Sequence, residues 1–297
     1  MRIAIIGGGG FLGRALIERL DSEGYELILI HRKSSVINYS KKHKFVPYEK
    51  VGDNVFDGTN IVCDVFINLA WKGVSGSDRN NKDQITYNIP LTLWSVELAK
   101  ALNCNHWIGF GSQAEYGNSD VKLYESMQTN PNTLYGFSKV ASSYSALSLC
   151  KAYEIKGTWV RLFDPYGPGD ANYWFIPHLI NSLMKGNRPE LTKCEQLWDF
   201  IYIEDAVGAI VSLIEHKANG IFNLGSGSTV SLKEVVEHVR KYTKTNIKPL
   251  YGSIAYRKDQ IMHLESSIKK ITLRTGWTPK VSIKDGIRKT VDSIFMK

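Results

Sequence analysis

Tyr135-Gly136-Phe137-Ser138-Lys139 sets a phenol and an ammonium four residues apart. On a helix that spacing puts both on one face. A nearby cation favours the phenolate, so Lys139 is expected to lower the Tyr135 pKa towards the range of a working general acid or base. The bland reading is an ordinary surface pair. Ser112 adds a third group, at the end of an apolar run that continues as Gly111-Ser112-Gln113-Ala114-Glu115-Tyr116-Gly117. Ligands bind at the carboxyl ends of strands in a parallel sheet, where a serine hydroxyl can hydrogen-bond a carbonyl or alkoxide oxygen. Alone, Ser112 would read as a loop-capping serine.

A second constellation lies at the N-terminus. Gly7, Gly10 and Gly13 give G-x-x-G-x-x-G between an apolar run and an amphipathic segment. Residues without a Cβ permit the tight turn and let a dinucleotide pyrophosphate approach the backbone and the helix N-terminus, near Phe11 and Leu12. Gly13 is expected to let the helix pack closely on the sheet. An acidic residue at the end of the next strand would bind the ribose hydroxyls of NAD, whereas a basic one accepts the 2′-phosphate of NADP. Here that strand runs into His31-Arg32-Lys33, without Asp or Glu. NADP(H) is favoured, with Arg32 as the main phosphate contact; NAD(H) stays open, and so does a plain solvated basic turn.

These residues need a scaffold. Arg2–Ile6, Glu26–Ile30, Lys44–Val46, Asp64–Leu69, His106–Phe110 and Gly157–Leu162 read as strands. Between them Phe11–Leu20, Asn88–Leu102 and Tyr135–Tyr153 read as helices. Strands alternating with helices imply an α/β fold, a doubly wound parallel Rossmann sheet covered on both faces. Residues 1–163 are expected to form this dinucleotide-binding unit. The turn-rich Asp164–Gly169 ends it, and 164–297 is expected to be mainly a smaller mixed α/β substrate-binding lobe. The chain is expected to return to the sheet near Phe200, within about 200–224, with strands Phe200–Ile203 and Ile221–Leu224 flanking a helix Asp205–His216. Ser231–Tyr242 reads as a helix, with Ser231 as N-cap and Glu234 completing a capping box.

Composition narrows the class. The 297 residues are 43% hydrophobic, an ordinary globular proportion, and carry a net charge of +8. No run approaches the roughly 18 apolar residues of a membrane span, and the first strand is too short for a signal peptide, so a cytoplasmic protein is expected. Cys63, Cys104, Cys150 and Cys194 are scattered without metal-site spacing, which favours buried thiols over a disulfide framework or a metal. Positive charge suits an anionic ligand, a dinucleotide or nucleoside diphosphate, and also nucleic acid. The basic residues are spread along the chain, however, and the densest cluster, Lys41-Lys42-His43-Lys44, lacks interleaved aromatics. Nucleic acid is a minor alternative that a salt-dependent RNA gel shift would expose.

Taken together the motifs resemble the extended short-chain dehydrogenase/reductase family, which includes sugar-nucleotide epimerases, dehydratases and 4-keto reductases. The resemblance covers the whole length. It rests on Gly7–Gly13, Asn68-Leu69-Ala70, Ser112 four residues before Tyr116-Gly117, Tyr135-x-x-x-Lys139, Arg161–Gly169, Asp199–Asp205 and Gly276-Trp277-x-Pro279. It implies Ser112, Tyr135 and Lys139 as catalytic residues, with Leu69 and Ala70 beside the cofactor and Lys139 on the nicotinamide ribose. Asn88 resembles the family asparagine that braces the active-site helix. Asn88–Leu102 and Ser138–Tyr153 resemble the helices through which such proteins dimerise, implying a homodimer.

Within the family, dehydratases carry an Asp–Glu pair after the catalytic Ser or Thr, and GDP-fucose synthases a cysteine at the second of those positions. Gln113 and Ala114 offer neither. Simple hydride transfer remains. The basic strand end favours an NADPH-dependent reductase of a nucleotide-linked 4-keto-6-deoxysugar over a 4-epimerase with retained NAD. A cofactor-binding sensor or scaffold is a third reading, disfavoured by the intact Tyr135 and Lys139. The pattern Arg257–Met262 with Gly276-Trp277 is similar to CDP-abequose and CDP-paratose synthases. Two positions depart from the family. Trp198 stands where a diphosphate-binding Arg is usual, and Asp164 where an Asn is usual. The expected substrate contacts are Ser112, Gln113, Asp164, Tyr166, Trp174, Trp198 and Arg257, with Lys193 and Tyr173 as weaker candidates.

Overall fold

A strand covered on both faces must be apolar along its length, and the central runs obey this: β1 (Arg2–Ile6) and β4 (Val65–Asn68) are buried except at Arg2. The computed structural model describes residues 1–35, 42–257 and 260–295. The other sheet strands are β2 (Glu26–Arg32), β3 (Lys44–Tyr48), β5 (His106–Ser112) and β6 (Lys156–Leu162). Short strands follow: β7 (Asp164–Tyr166), β8 (Glu190–Leu191), β9 (Leu197–Trp198) and β10 (Phe200–Tyr202). Then come β11 (Gly220–Leu224), β12 (Val230–Ser231), β13 (Leu250–Tyr251) and β14 (His263–Leu264). The helices are α1 (Phe11–Ser22), α2 (Asp83–Thr86), α3 (Asn88–Ala101), α4 (Leu134–Ala152) and α5 (Phe175–Met184). They continue with α6 (Ile203–Glu215), α7 (Leu232–Tyr242), α8 (Lys269–Thr275) and α9 (Ile283–Phe295).

The main sheet has the order β11-β6-β5-β4-β1-β2-β3, with every neighbouring pair parallel. This is a doubly wound Rossmann sheet, and its order reverses between β1 and β4. Successive residues point to opposite faces, so Ile3 and Ile5 enter one core and Ala4 and Ile6 the other. The first core packs against α1, α5, α6, α7 and α9, the second against α3 and α4. The C-terminal helices therefore share a core with the sheet.

Three local expectations change. The chain rejoins the main sheet at β11, on β6, whereas Phe200–Tyr202 pairs with Asp164–Tyr166. The segment expected as pure turn thus opens as a strand. Pro165 lacks an N–H, and a two-stranded pairing leaves its nitrogen side free of a ladder. Ser231 caps α7 by accepting the Glu234 N–H at 3.1 Å, but the return bond of the capping box is not made. The Glu234 carboxylate turns instead towards His238, 3.7 Å away. The four cysteines are buried free thiols. Among the described residues no helix is long and apolar enough to cross a membrane.

Candidate active site

The glycine turn sits at the sheet's topological switch point, and each glycine has its own reason. Gly7 has φ +85°, and a Cβ there would lie 2.6 Å from the Ala70 Cα. The turn thus packs directly on the end of β4, at Leu69-Ala70. A Cβ on Gly13 would lie 2.5 Å from the Gly8 carbonyl oxygen, so this glycine lets α1 close onto its own turn more than onto the sheet. At Gly9 no atom lies within 4 Å of a Cβ position, and at Gly10 the nearest is the Gly7 oxygen at 3.8 Å. Those two leave bare backbone open at the start of α1. Gly10 caps α1 without a side-chain bond, and the first turn, beginning Phe11-Leu12, holds no acidic residue. The N–H groups of the first turn of α1 and the positive end of the helix dipole fit a dinucleotide pyrophosphate. Arg14 ties this turn to the loop after β7, donating to Gly9 O at 2.7 Å and Gly169 O at 2.9 Å.

At the end of β2 the three basic residues are not equivalent. His31 Nδ1 hydrogen-bonds the Arg32 carbonyl at 2.9 Å, and its ring meets Phe45 edge-on. Lys33 pairs with Glu49 at 2.6 Å. An acidic residue therefore does stand at this corner, brought by the end of β3, where the β2 sequence shows none. Arg32 lies over the Tyr87 ring at 5.3 Å and is exposed, the cation best placed for a phosphate.

Ser112, Tyr135 and Lys139 converge, at 8%, 8% and 5% exposure. β5 delivers Ser112 at its carboxyl end, and α4 delivers the other two. The start of α4 is fully capped: Leu134 N–H donates to Asn80 Oδ1, Tyr135 N–H to Arg79 O and Gly136 N–H to Thr133 Oγ1. The Ser112 hydroxyl accepts the Ala114 N–H at 3.2 Å and stands close enough to the Tyr135 phenol to favour its ionised form. Lys139 Nζ donates to Phe110 O at 2.7 Å and sits 3.5 Å from the centre of the Trp71 ring. The expected depression of the Tyr135 pKa by Lys139 is not found. Burial pushes the phenol above its ordinary value, with Ser112 and Arg79 opposing. Burial also brings Lys139 down to about 7. The Lys139 ammonium is turned to Phe110 O and the Trp71 ring, so its spacing from Tyr135 in the sequence misleads.

Behind Ser112 lies a buried ion pair. Glu115 Oε2 accepts from Arg161 Nε at 2.8 Å, and Oε1 accepts from Ser112 N–H at 3.1 Å and Trp159 Nε1 at 2.8 Å. Asn88 braces the loop after β4 rather than α4 itself, bonding both the N–H and the carbonyl of Lys72.

The expected substrate residues divide. Gln113 Oε1 and Asp164 Oδ2 are buried acceptors with no hydrogen-bond partner, which a ligand donor would complete. Burial lifts the Asp164 carboxyl to about 7, partly opposed by Arg79. Trp198 tilts over Phe200 at 6.1 Å, and Trp174 against Tyr173 at 5.2 Å. Tyr166 is a correction: it is 2% exposed, packed on Phe200 and Tyr202, with its hydroxyl on Ile283 O at 3.3 Å. It belongs to the core, not to a pocket. Arg257 and Lys193 are exposed, and Tyr173 is 62% exposed. Lys41, and Lys258 and Asp259 of the C-terminal pattern, lie outside the described residues.

Residues 3–225 match the NAD dependent epimerase/dehydratase family. The chain belongs to this family. Among its relatives, CDP-abequose synthase of Salmonella muenchen is 27% identical, over 97% of this chain and 96% of that one. The dTDP-4-dehydro-6-deoxyglucose reductase of Escherichia coli is 26% identical, over 99% and 98%. The UDP-glucose 4-epimerase of Corynebacterium glutamicum is also 26% identical, over 94% and 91%. In structure, the chain is similar to UDP-glucose 4-epimerase of Thermotoga maritima, with a TM-score of 0.86 at 22% identity, covering 100% of this chain and 99% of that one. That likeness carries the fold.

Sequence reasoning missed Arg79, Trp71, Glu115 and Arg14 at the epimerase/dehydratase family site. The first two lie in the irregular stretch after β4, where no periodicity marks them. Trp71 follows Leu69-Ala70 directly, and that adjacency was the available signal.

Proposed function

We propose that the chain is an NADP(H)-dependent reductase of a nucleotide-linked 4-keto-6-deoxysugar. The observation that carries this is the convergence of Ser112 from the end of β5 with Tyr135 and Lys139 from α4, with no acid or base at Gln113 or Ala114 beside them; burial holds Tyr135 as a phenol, the form able to give a proton. The bound dinucleotide supplies the hydride. As the C4 carbonyl oxygen becomes an alkoxide, the Tyr135 hydroxyl protonates it and the Ser112 hydroxyl steadies the growing charge. Lys139, anchored on Phe110 O, is placed to hold the nicotinamide ribose. Ala114 offers no acid or base for dehydration. The names of the Salmonella and Escherichia relatives support a synthase or reductase of this class. The Corynebacterium relative supports the second reading, a 4-epimerase with retained NAD.

The test is NADPH oxidation with CDP-, dTDP-, GDP- and UDP-linked 4-keto-6-deoxysugars. One NADPH is expected to disappear per ketone. Interconversion of two sugar nucleotides without net cofactor consumption would establish the epimerase instead.

Cofactor choice follows from Arg32. Lys33 is held by Glu49, whereas Arg32 has no ion-pair partner among the described residues, so NADPH is expected to bind much more tightly than NADH. Arg32→Ala should narrow that gap by about 10- to 100-fold, the scale of a charge-assisted hydrogen bond. Equal affinity of the unmutated protein for both cofactors refutes the NADP assignment.

We also propose a homodimer through α3 and α4. Phe137 and Tyr144 on α4 are 56% and 62% exposed. They stand seven residues apart, on one stripe of the helix. Light scattering at micromolar concentration should give twice the chain mass, and Tyr144→Asp should shift it to monomer. A monomeric unmutated protein contradicts this.

A further inference from the structure

Two groups from different segments stand beside Tyr135, a partly exposed guanidinium and a buried unsatisfied carboxyl oxygen. Arg79 comes from the stretch after β4, its guanidinium 5.2 Å from the centre of the Tyr135 ring. Among the described residues its side chain has no hydrogen-bond or ion-pair partner. Asp164 comes from β7, and its buried Oδ2 accepts no hydrogen bond. The charge of Arg79 acts on both Tyr135 and Asp164, yet the two do not close into an ion pair. The backbone of each is held in place. The Arg79 carbonyl accepts the Tyr135 N–H at 2.8 Å, the neighbouring Asn80 caps Leu134 at 3.0 Å, and Asp164 is held in register with Phe200 of β10.

A guanidinium only donates and the ionised form of Asp164 only accepts, so above the Asp164 pKa of about 7 the group that pairs with both accepts and donates. A hydroxyl does so. An ammonium substituent would meet the like charge of Arg79, and a deoxy carbon would leave both protein groups unpaired. We propose that Arg79 is a substrate-contacting residue that, with Asp164, grips a hydroxyl of the sugar ring beside the carbon whose oxygen Tyr135 serves. This rests on the sugar-nucleotide reading given above, and it adds the reason for a specificity: sugars hydroxylated at that position are accepted and their deoxy analogues rejected.

The test is calorimetric binding to the protein saturated with NADP⁺, so that turnover is not required. The probes are 6-deoxyhexoses with a C4 hydroxyl, linked to CDP, dTDP, GDP or UDP, each beside its bare nucleoside diphosphate. Arg79→Met keeps the packing on Tyr135 and removes the charge. It should weaken sugar-nucleotide binding about 10- to 100-fold while NADP⁺ and the bare diphosphate bind within about two-fold of before. Arg79→Lys should recover part of the loss. Asp164→Leu should weaken the same probe, and the double variant should lose less than the product of the two single losses, because both hold one hydroxyl. An equal fall in bare diphosphate affinity places Arg79 on the phosphates and overturns the proposal. Unchanged sugar affinity overturns it, as does loss of NADP⁺ binding or of thermal stability, which would make Arg79 structural. No gain of the sugar nucleotide over its diphosphate in the unmutated protein overturns it too. If the binding results hold but no substrate oxidises NADPH, the reductase reading fails alone.

Discussion

Tyr135→Phe is expected to cut the reduction rate about 10²- to 10⁴-fold while the protein stays folded and still binds NADPH. The substitution removes one hydroxyl. The ring keeps its edge contact with Trp71 at 6.0 Å and its place under Arg79, so packing is preserved. What is lost is the proton donor for the alkoxide. Ser112→Ala should slow turnover less, since Ser112 polarises the oxygen without giving it a proton. The pH profile should report Lys139. Burial lowers its pKa to about 7, so the ammonium is present below that pH and lost as pH rises through it. Tyr135 is shifted the other way and remains a phenol across the same window. The alkaline fall in kcat/KM should therefore begin near neutrality, and Lys139→Met should abolish that limb while weakening cofactor binding. Full activity in Tyr135→Phe would mean that the proton comes from elsewhere and that this site is misassigned.

The features legible in the sequence were those whose cause is local. A strand buried on both faces must be apolar throughout, so Arg2–Ile6 and the run ending at Asn68 declare themselves. The turn between Gly7 and Gly13 is forced by backbone within a few residues and by the end of β4. What stayed hidden depends on partners far along the chain. Glu115 and Arg161 are 46 residues apart, and nothing in either neighbourhood announces a buried pair. Tyr166 looks like a pocket aromatic until its hydroxyl is found on Ile283, 117 residues later. The ionisation of Tyr135 was misread for the same reason. The sequence shows a cation four residues on, but desolvation is a property of the assembled fold, and here it sets the direction of the shift. Glu49 at the cofactor corner directly follows β3, so reading β2 alone left it out.

Glu115→Leu, in the short turn after β5, should be among the most destabilising single substitutions, although Glu115 touches no expected ligand. The side chains of Glu115 and Arg161 are 0% and 1% exposed. Removing the carboxylate leaves the guanidinium charged, buried and unpaired, a loss of about 3–5 kcal/mol. Thermal unfolding should register this as a fall in Tm of about 5–15 °C. Activity should fall as well, because Glu115 also accepts the Ser112 N–H at 3.1 Å and so sets the angle of that residue in the site. The cause can be separated from simple loss of packing. If the penalty comes from an orphaned charge, Glu115→Leu combined with Arg161→Met should be more stable than Glu115→Leu alone, since the second change removes the group left unpaired. If it came from a cavity, the second change would only enlarge the damage. Activity should not recover in the double variant, because Ser112 and Trp159 still lack their acceptor. A Tm shift no larger than that of a surface substitution would show that Arg161 finds another partner, and that this pair does not hold the end of β5 in place.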